Sequence, residues 1–124
     1  MKDLIDSWVK ATELSQNNPG FSANNWAIQK ILDMNMEGEH DEVWKIILGI
    51  VSATESDWVV GCLGAGPLED LLVYQAPEFI ERIAIETETS PKFKRALSSV
   101  CLDADDTPLY KRVYEIAGVD PPFD

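Results

Sequence analysis

Apolar residues recur at every third or fourth position through almost the whole chain, and nowhere do they alternate with period two over a strand's length. Such spacing gathers apolar side chains on one face of an α-helix and argues against a sheet. Leu4, Ile5, Trp8, Val9 and Thr12 mark one face of a first helix, which should end before Gln16-Asn17-Asn18-Pro19-Gly20. Phe21 is placed to fold back as a plug behind that turn. A second helix should run from Asn24 or Asn25 to Met36, with Ser22 and Asn24 as competent N-caps. Beyond the polar break Glu37-Gly38-Glu39-His40-Asp41-Glu42, the stretch from Val43 to Val51 is apolar on every side, as a buried central helix is.

Proline punctuates the second half. Gly66-Pro67, Ala76-Pro77, Ser90-Pro91 and Thr107-Pro108 each offer proline at the first position of a helix, where its missing N–H is harmless and its fixed φ already helical. Thr54-Glu55-Ser56-Asp57 resembles a capping box. The expected helices cover about 55–64, 67–75, 78–88, 91–101 and 108–117. The fold class is therefore all-α: seven or eight short helices, stacked as antiparallel hairpins in the manner of an α-solenoid or closed into a compact bundle. Trp8, Trp26 and Trp44 lie 18 residues apart without matching flanks, a rhythm in which each tryptophan would anchor one hairpin.

A length of 124 residues with 45% hydrophobic content fits a single domain over 1–124, with 118–124 as an extended tail that carries Phe123. Twenty-two acidic against ten basic side chains give a net charge of −12. That field repels phosphate backbones and anionic membranes, so nucleic-acid and membrane binding are disfavoured and a basic protein partner is favoured. Acids among the first residues and the lack of a long aliphatic run point to a cytoplasmic protein. Cys62 and Cys101 are too few for a disulfide framework and are expected as buried thiols. Composition leaves monomer and homodimer both open, and no cofactor is implied.

The run Trp58-Val59-Val60-Gly61-Cys62-Leu63-Gly64-Ala65-Gly66-Pro67-Leu68-Glu69-Asp70-Leu71-Leu72 is the most distinctive in the chain. It reads as helix, glycine corner, helix: Gly64 or Gly66 in the left-handed conformation ends one helix, and Pro67 starts the next. Glu69 and Asp70 then stand in a first turn, near the positive end of the helix dipole. Gly61 and Ala65, four apart, would admit a neighbouring backbone. As a site, the corner would present backbone N–H groups and two carboxylates to a ligand; otherwise it is a tight turn with dipole-compensating acids. With no lysine or arginine between Lys45 and Arg82, it makes a poor phosphate cradle.

This run, followed by Phe79 to Ile83 and Pro91 to Leu97, resembles a family of small bacterial proteins of unknown function. The resemblance covers about 40 residues, all after residue 54. It implies a helical domain and a bacterial source, and transfers neither an activity nor site residues.

Two acidic clusters are candidate contact surfaces: Glu37, Glu39, Asp41 and Glu42 in a stretch free of basic residues, and Asp103, Asp105 and Asp106 before the last helix. The second has some of the spacing of a calcium loop but lacks its central glycine and closing glutamate, so no metal site is assigned. Lys92, Lys94 and Arg95 form the one basic knot and should pair with Glu78, Glu81, Glu86 or Glu88 on the preceding helix. His40 is expected as a solvated loop residue. Small size, acidity and the lack of a catalytic constellation favour a protein-binding inhibitor with the general look of acidic immunity proteins, which neutralise a cognate bacterial toxin. The alternative is a structural or adaptor helical module. An enzyme would require a pocket in which at least two of Glu69, Asp70, His40 and Cys62 converge within hydrogen-bond reach.

Overall fold

The computed structural model describes residues 2–15, 24–102 and 107–121. Among them are seven α-helices, one π-helical segment and no strand: α1 (Lys2–Ser15), α2 (Asn25–Met36), α3 (His40–Ala53), α4 (Asp57–Leu63), the π segment (Gly64–Leu68), α5 (Glu69–Thr89), α6 (Pro91–Ser98) and α7 (Thr107–Ala117). The protein is all-α, and the expected starts and ends of the first three helices hold to within a residue or two. The Gln16–Gly20 loop, the Phe21 plug, the Ser22 cap, Asp103, Asp105, Asp106 and Phe123 lie outside the described residues.

α3 is the central helix that its all-round apolarity implies. Val43, Trp44, Ile46, Ile47, Ile50 and Val51 are all buried. Trp44 meets Phe93 of α6 edge-on, with ring centroids 5.7 Å apart, and Phe79 of α5 at 5.9 Å. Each such pair adds about 0.5–1.5 kcal/mol beyond its buried area. α1 packs on α2, α3 and α4, while α2 also reaches α5. Contacts between helices so far apart in sequence distinguish a closed bundle from a solenoid, in which each repeat meets only its neighbours. The tryptophan rhythm does not correspond to one anchor per hairpin: Trp8 and Trp44 are buried, but Trp26 is 51% exposed.

Two of the helix starts are capped by serine. Ser56, two positions inside the expected box, accepts the Val59 N–H at 3.3 Å in place of Thr54, whose Oγ1 accepts the Ser56 N–H at 3.1 Å. Ser90 accepts the Phe93 N–H at 3.1 Å with Pro91 in the first turn of α6. Pro108 likewise stands in the first turn of α7. The break expected between the helices at 67–75 and 78–88 is present as a kink that divides α5 in two, where Gln75 takes the non-helical φ −144° and ψ 39°. Pro77 explains the bend, because its ring excludes the carbonyl four residues back and its nitrogen donates nothing.

Candidate functional site

The glycine run is not a corner. Leu63, Gly64, Leu68 and Glu69 all keep right-handed helical backbone, so α4 passes into α5 without a turn. The only glycines with positive φ among the described residues are Gly38 and Gly118. The sequence expectation failed because it took Pro67 as a helix start. In a straight α-helix its ring would strike the Leu63 carbonyl, and the wider π turn makes room for it. The Glu69 N–H still bonds back to the Gly64 carbonyl, five residues away. The backbone N–H groups here are therefore engaged along the helix, and Glu69 and Asp70 face no free N-terminus.

Each glycine of the run has its own surroundings. Gly64 is the point of close approach: a methyl group there would overlap the Ala96 carbonyl oxygen of α6 and lie 2.7 Å from its carbon. Gly61, expected to admit a backbone, meets only the Ser99 hydroxyl at 3.6 Å, and Gly66 faces open space. Asn35, buried on α2, donates from Nδ2 to the Pro67 carbonyl at 3.3 Å, which holds the π segment against α2. Its Oδ1 is buried with no partner among the described residues.

Glu69 and Asp70 are divided between two tasks. Glu69 accepts the Cys101 N–H at 2.7 Å and so fastens the chain leaving α6. Tyr114 holds the same strand of chain from the other side, donating to the Val100 carbonyl at 2.5 Å and accepting the Leu102 N–H at 3.3 Å. Burial pushes the Tyr114 phenol up from its ordinary value.

Asp70 instead lines a cleft of about 260 Å³ where α1, α2 and the π segment meet, with Trp8, Thr12, Ile28, Leu32, Cys62 and Pro67 among its walls. Among the described residues the walls are mostly apolar and carry no lysine or arginine. Asp70 has no hydrogen-bond or ion-pair partner among the described residues, and burial raises its pKa above the usual carboxylate value. The Cys62 thiol is raised by burial too. A second cleft, which shares Cys62 with the first, is lined by Asp57, Trp58, Gly61, Cys62, Ala65 and Ser99. The Trp58 indole there donates to the Thr12 carbonyl at 3.0 Å and to Ser15 Oγ at 3.3 Å, tying α4 to the end of α1.

His40 stands outside both clefts. Its Nε2 lies 3.1 Å from the Asn35 carbonyl and its ring stacks on Tyr74 at 6.5 Å, so it is a half-buried packing residue and not a solvated one. Of Glu69, Asp70, His40 and Cys62, two share a cleft, Cys62 and Asp70, with no hydrogen bond between them among the described residues. Cys101 is exposed, contrary to expectation, because α6 ends at Ser98 and releases it into the connection. No group of three or more metal-ligating side chains occurs among the described residues.

The acidic turn between α2 and α3 is exposed at Glu37, Glu39, Asp41 and Glu42. Asp41 pairs with Arg82 at 3.2 Å and Glu42 with Lys45 at 3.5 Å, while Glu37 and Glu39 have no side-chain partner among the described residues. The basic knot reaches acids other than those expected: Lys92 bonds Glu55 at 3.0 Å and Arg95 bonds Asp57. α6 packs closely along α4, which puts the start of α4 within reach of both cations. An unforeseen feature adjoins the acidic turn. Ile28, Leu32 and Met36, spaced by four on α2, form an exposed row. Their i, i+4, i+8 spacing was readable, but the side of α2 that faces the core was not.

Fold and site together define a helical protein with an acidic turn, an apolar row and a cleft holding one unpaired carboxylate. The chain belongs to a family of unknown function (DUF6869), whose model matches residues 14–119 and so extends well upstream of the glycine run. Neither the curated proteins nor the solved structures contain a match to it. No helix among the described residues is long and apolar enough to cross a membrane.

Proposed function

We propose that the chain is a binding protein that holds a basic protein partner, acting as an inhibitor of the immunity-protein kind that neutralises a toxin. One observation carries the reading: the exposed row Ile28, Leu32 and Met36 runs directly into Glu37 and Glu39, two exposed acids without partners among the described residues. Contiguous exposed apolar side chains rimmed by charge are the pattern of a contact surface, and Met36, at 63% exposure, is a large apolar side chain left to water. The acids would speed the approach of a cationic partner and fix its orientation, and the apolar row would supply the buried contact. Within the acidic turn Glu37 and Glu39 are the acids we assign to the contact, since Asp41 and Glu42 pair within the chain, while Asp103, Asp105 and Asp106 lie outside the described residues.

The test is capture of partners by the tagged protein at low and high salt, in parallel with the double substitution Glu37→Lys and Glu39→Lys. A stoichiometric basic protein, weakened by salt and lost on charge reversal, supports the reading. Capture unchanged by the reversal removes this surface from consideration, and an absence of any partner favours a structural role.

A further inference from the structure

Among the described residues Asp70 is the one carboxylate of a mostly apolar cleft, whose other polar walls are the Thr12 and Ser15 hydroxyls and which supplies no cation. The segment 16–23, which joins the two helices that wall the cleft, contains no lysine or arginine either. Holding an unpaired carboxylate against apolar surface costs free energy that a counter-charge would recover. At about 260 Å³ the space falls below the roughly 300–1,000 Å³ of pockets for drug-sized ligands, and suits one long side chain. Lysine and arginine combine an aliphatic stem with a cationic head, which is the chemistry these walls present in reverse. The cleft also opens beside Ile28 and Leu32, the first two members of the exposed apolar row.

We propose that this cleft seats a lysine or arginine side chain of the bound partner, its stem between Ile28, Leu32 and Pro67 beside the Trp8 ring and its head on the Asp70 carboxylate. The inference rests on the binding function proposed above and adds to it a specificity-determining residue. Thr12, Ser15 and Cys62 add polar atoms to the walls without supplying charge, so among the described residues discrimination between a basic and a neutral side chain falls to Asp70.

n-Pentylammonium and 1-pentanol, titrated separately into isotope-labelled protein and followed by the indole signal of Trp8 and the amides of Leu32, Gly66 and Asp70, form the first arm. The ammonium should shift these signals and bind at least about tenfold more tightly than the alcohol, the effect of one hydrogen bond to a charged group, and Asp70→Asn should abolish the difference. Equal binding of the two probes, or an ammonium affinity unchanged in the variant, overturns the inference. The second arm repeats the partner capture with Asp70→Asn, whose folding is checked by circular dichroism. Reduced capture supports the inference. Capture that depends on Glu37 and Glu39 but is indifferent to Asp70→Asn overturns it while leaving the binding function standing; capture of nothing by any form of the protein removes both.

Discussion

Replacing Gly64 by alanine is the sharpest test of how the glycine run is built. Gly64 lies in right-handed helical backbone, so helix propensity alone favours alanine by about 0.8–1.0 kcal/mol. Against that stands the overlap of the new methyl group with the Ala96 carbonyl, whose carbon would be only 2.7 Å away. That neighbour is helix backbone and not the tip of a flexible side chain, so α6 as a whole must shift. Overpacking of this kind costs about 1–3 kcal/mol, occasionally more, and a backbone obstacle belongs at the upper end. The net expectation is a loss of about 1–2 kcal/mol. At roughly 3–5 °C per kcal/mol for a chain of this size, the midpoint of thermal unfolding should fall by about 3–10 °C. Gly66→Ala, in open space on the same segment, should instead hold or gain up to about 1 kcal/mol. Urea unfolding followed at the helical circular-dichroism band measures both. A Gly64→Ala variant as stable as Gly66→Ala would refute the close approach of α6 and with it the account of the motif.

Tyr114→Phe strips a donor from the Val100 carbonyl and an acceptor from the Leu102 N–H, both buried; a loss of about 1–3 kcal/mol in urea unfolding is expected, and a neutral result would mean that water replaces the hydroxyl. Thiol labelling should modify exposed Cys101 promptly and Cys62 slowly until the protein is unfolded, and equal rates would contradict the burial that raises the Cys62 pKa. For Asp70, the folded carboxyl holds its proton more tightly than the unfolded chain does, so its contribution to stability falls as pH rises from below the unfolded value through the raised folded one, and stays lowered above it. Asp70→Asn should accordingly stabilise the protein at neutral pH, with the difference closing at about pH 3, below the usual carboxylate range. A destabilised variant at neutral pH would show that Asp70 has a partner in the folded state.

Much of the fold was legible because helical periodicity and caps are local signals. The apolar girdle of α3 and the Ser90-Pro91 start of α6 needed only a few residues of sequence to be read. The glycine run was misread because the same letters, glycine then proline, serve both a helix end followed by a helix start and a π turn that absorbs a proline. Only the packing of Gly64 on Ala96 and of Asn35 on Pro67 distinguishes them, and those partners are about 32 residues distant. The expected pairing of the basic knot with Glu78, Glu81, Glu86 or Glu88 failed for a similar reason, since Lys92 and Arg95 meet Glu55 and Asp57 instead. Charge complementarity says that cations find acids, but which acids depends on which helix lies alongside. The candidate site was half visible: Asp70 and the acidic turn were singled out from sequence, whereas the cleft and the exposed row on α2 depend on helix orientation.

The most direct measurement is the stoichiometry and salt dependence of partner capture by the wild-type chain beside its Glu37→Lys, Glu39→Lys form. The account predicts one basic protein, held at low salt, weakened at high salt and lost on charge reversal. A partner retained in full by the reversed form, or a partner that is itself acidic, would contradict it.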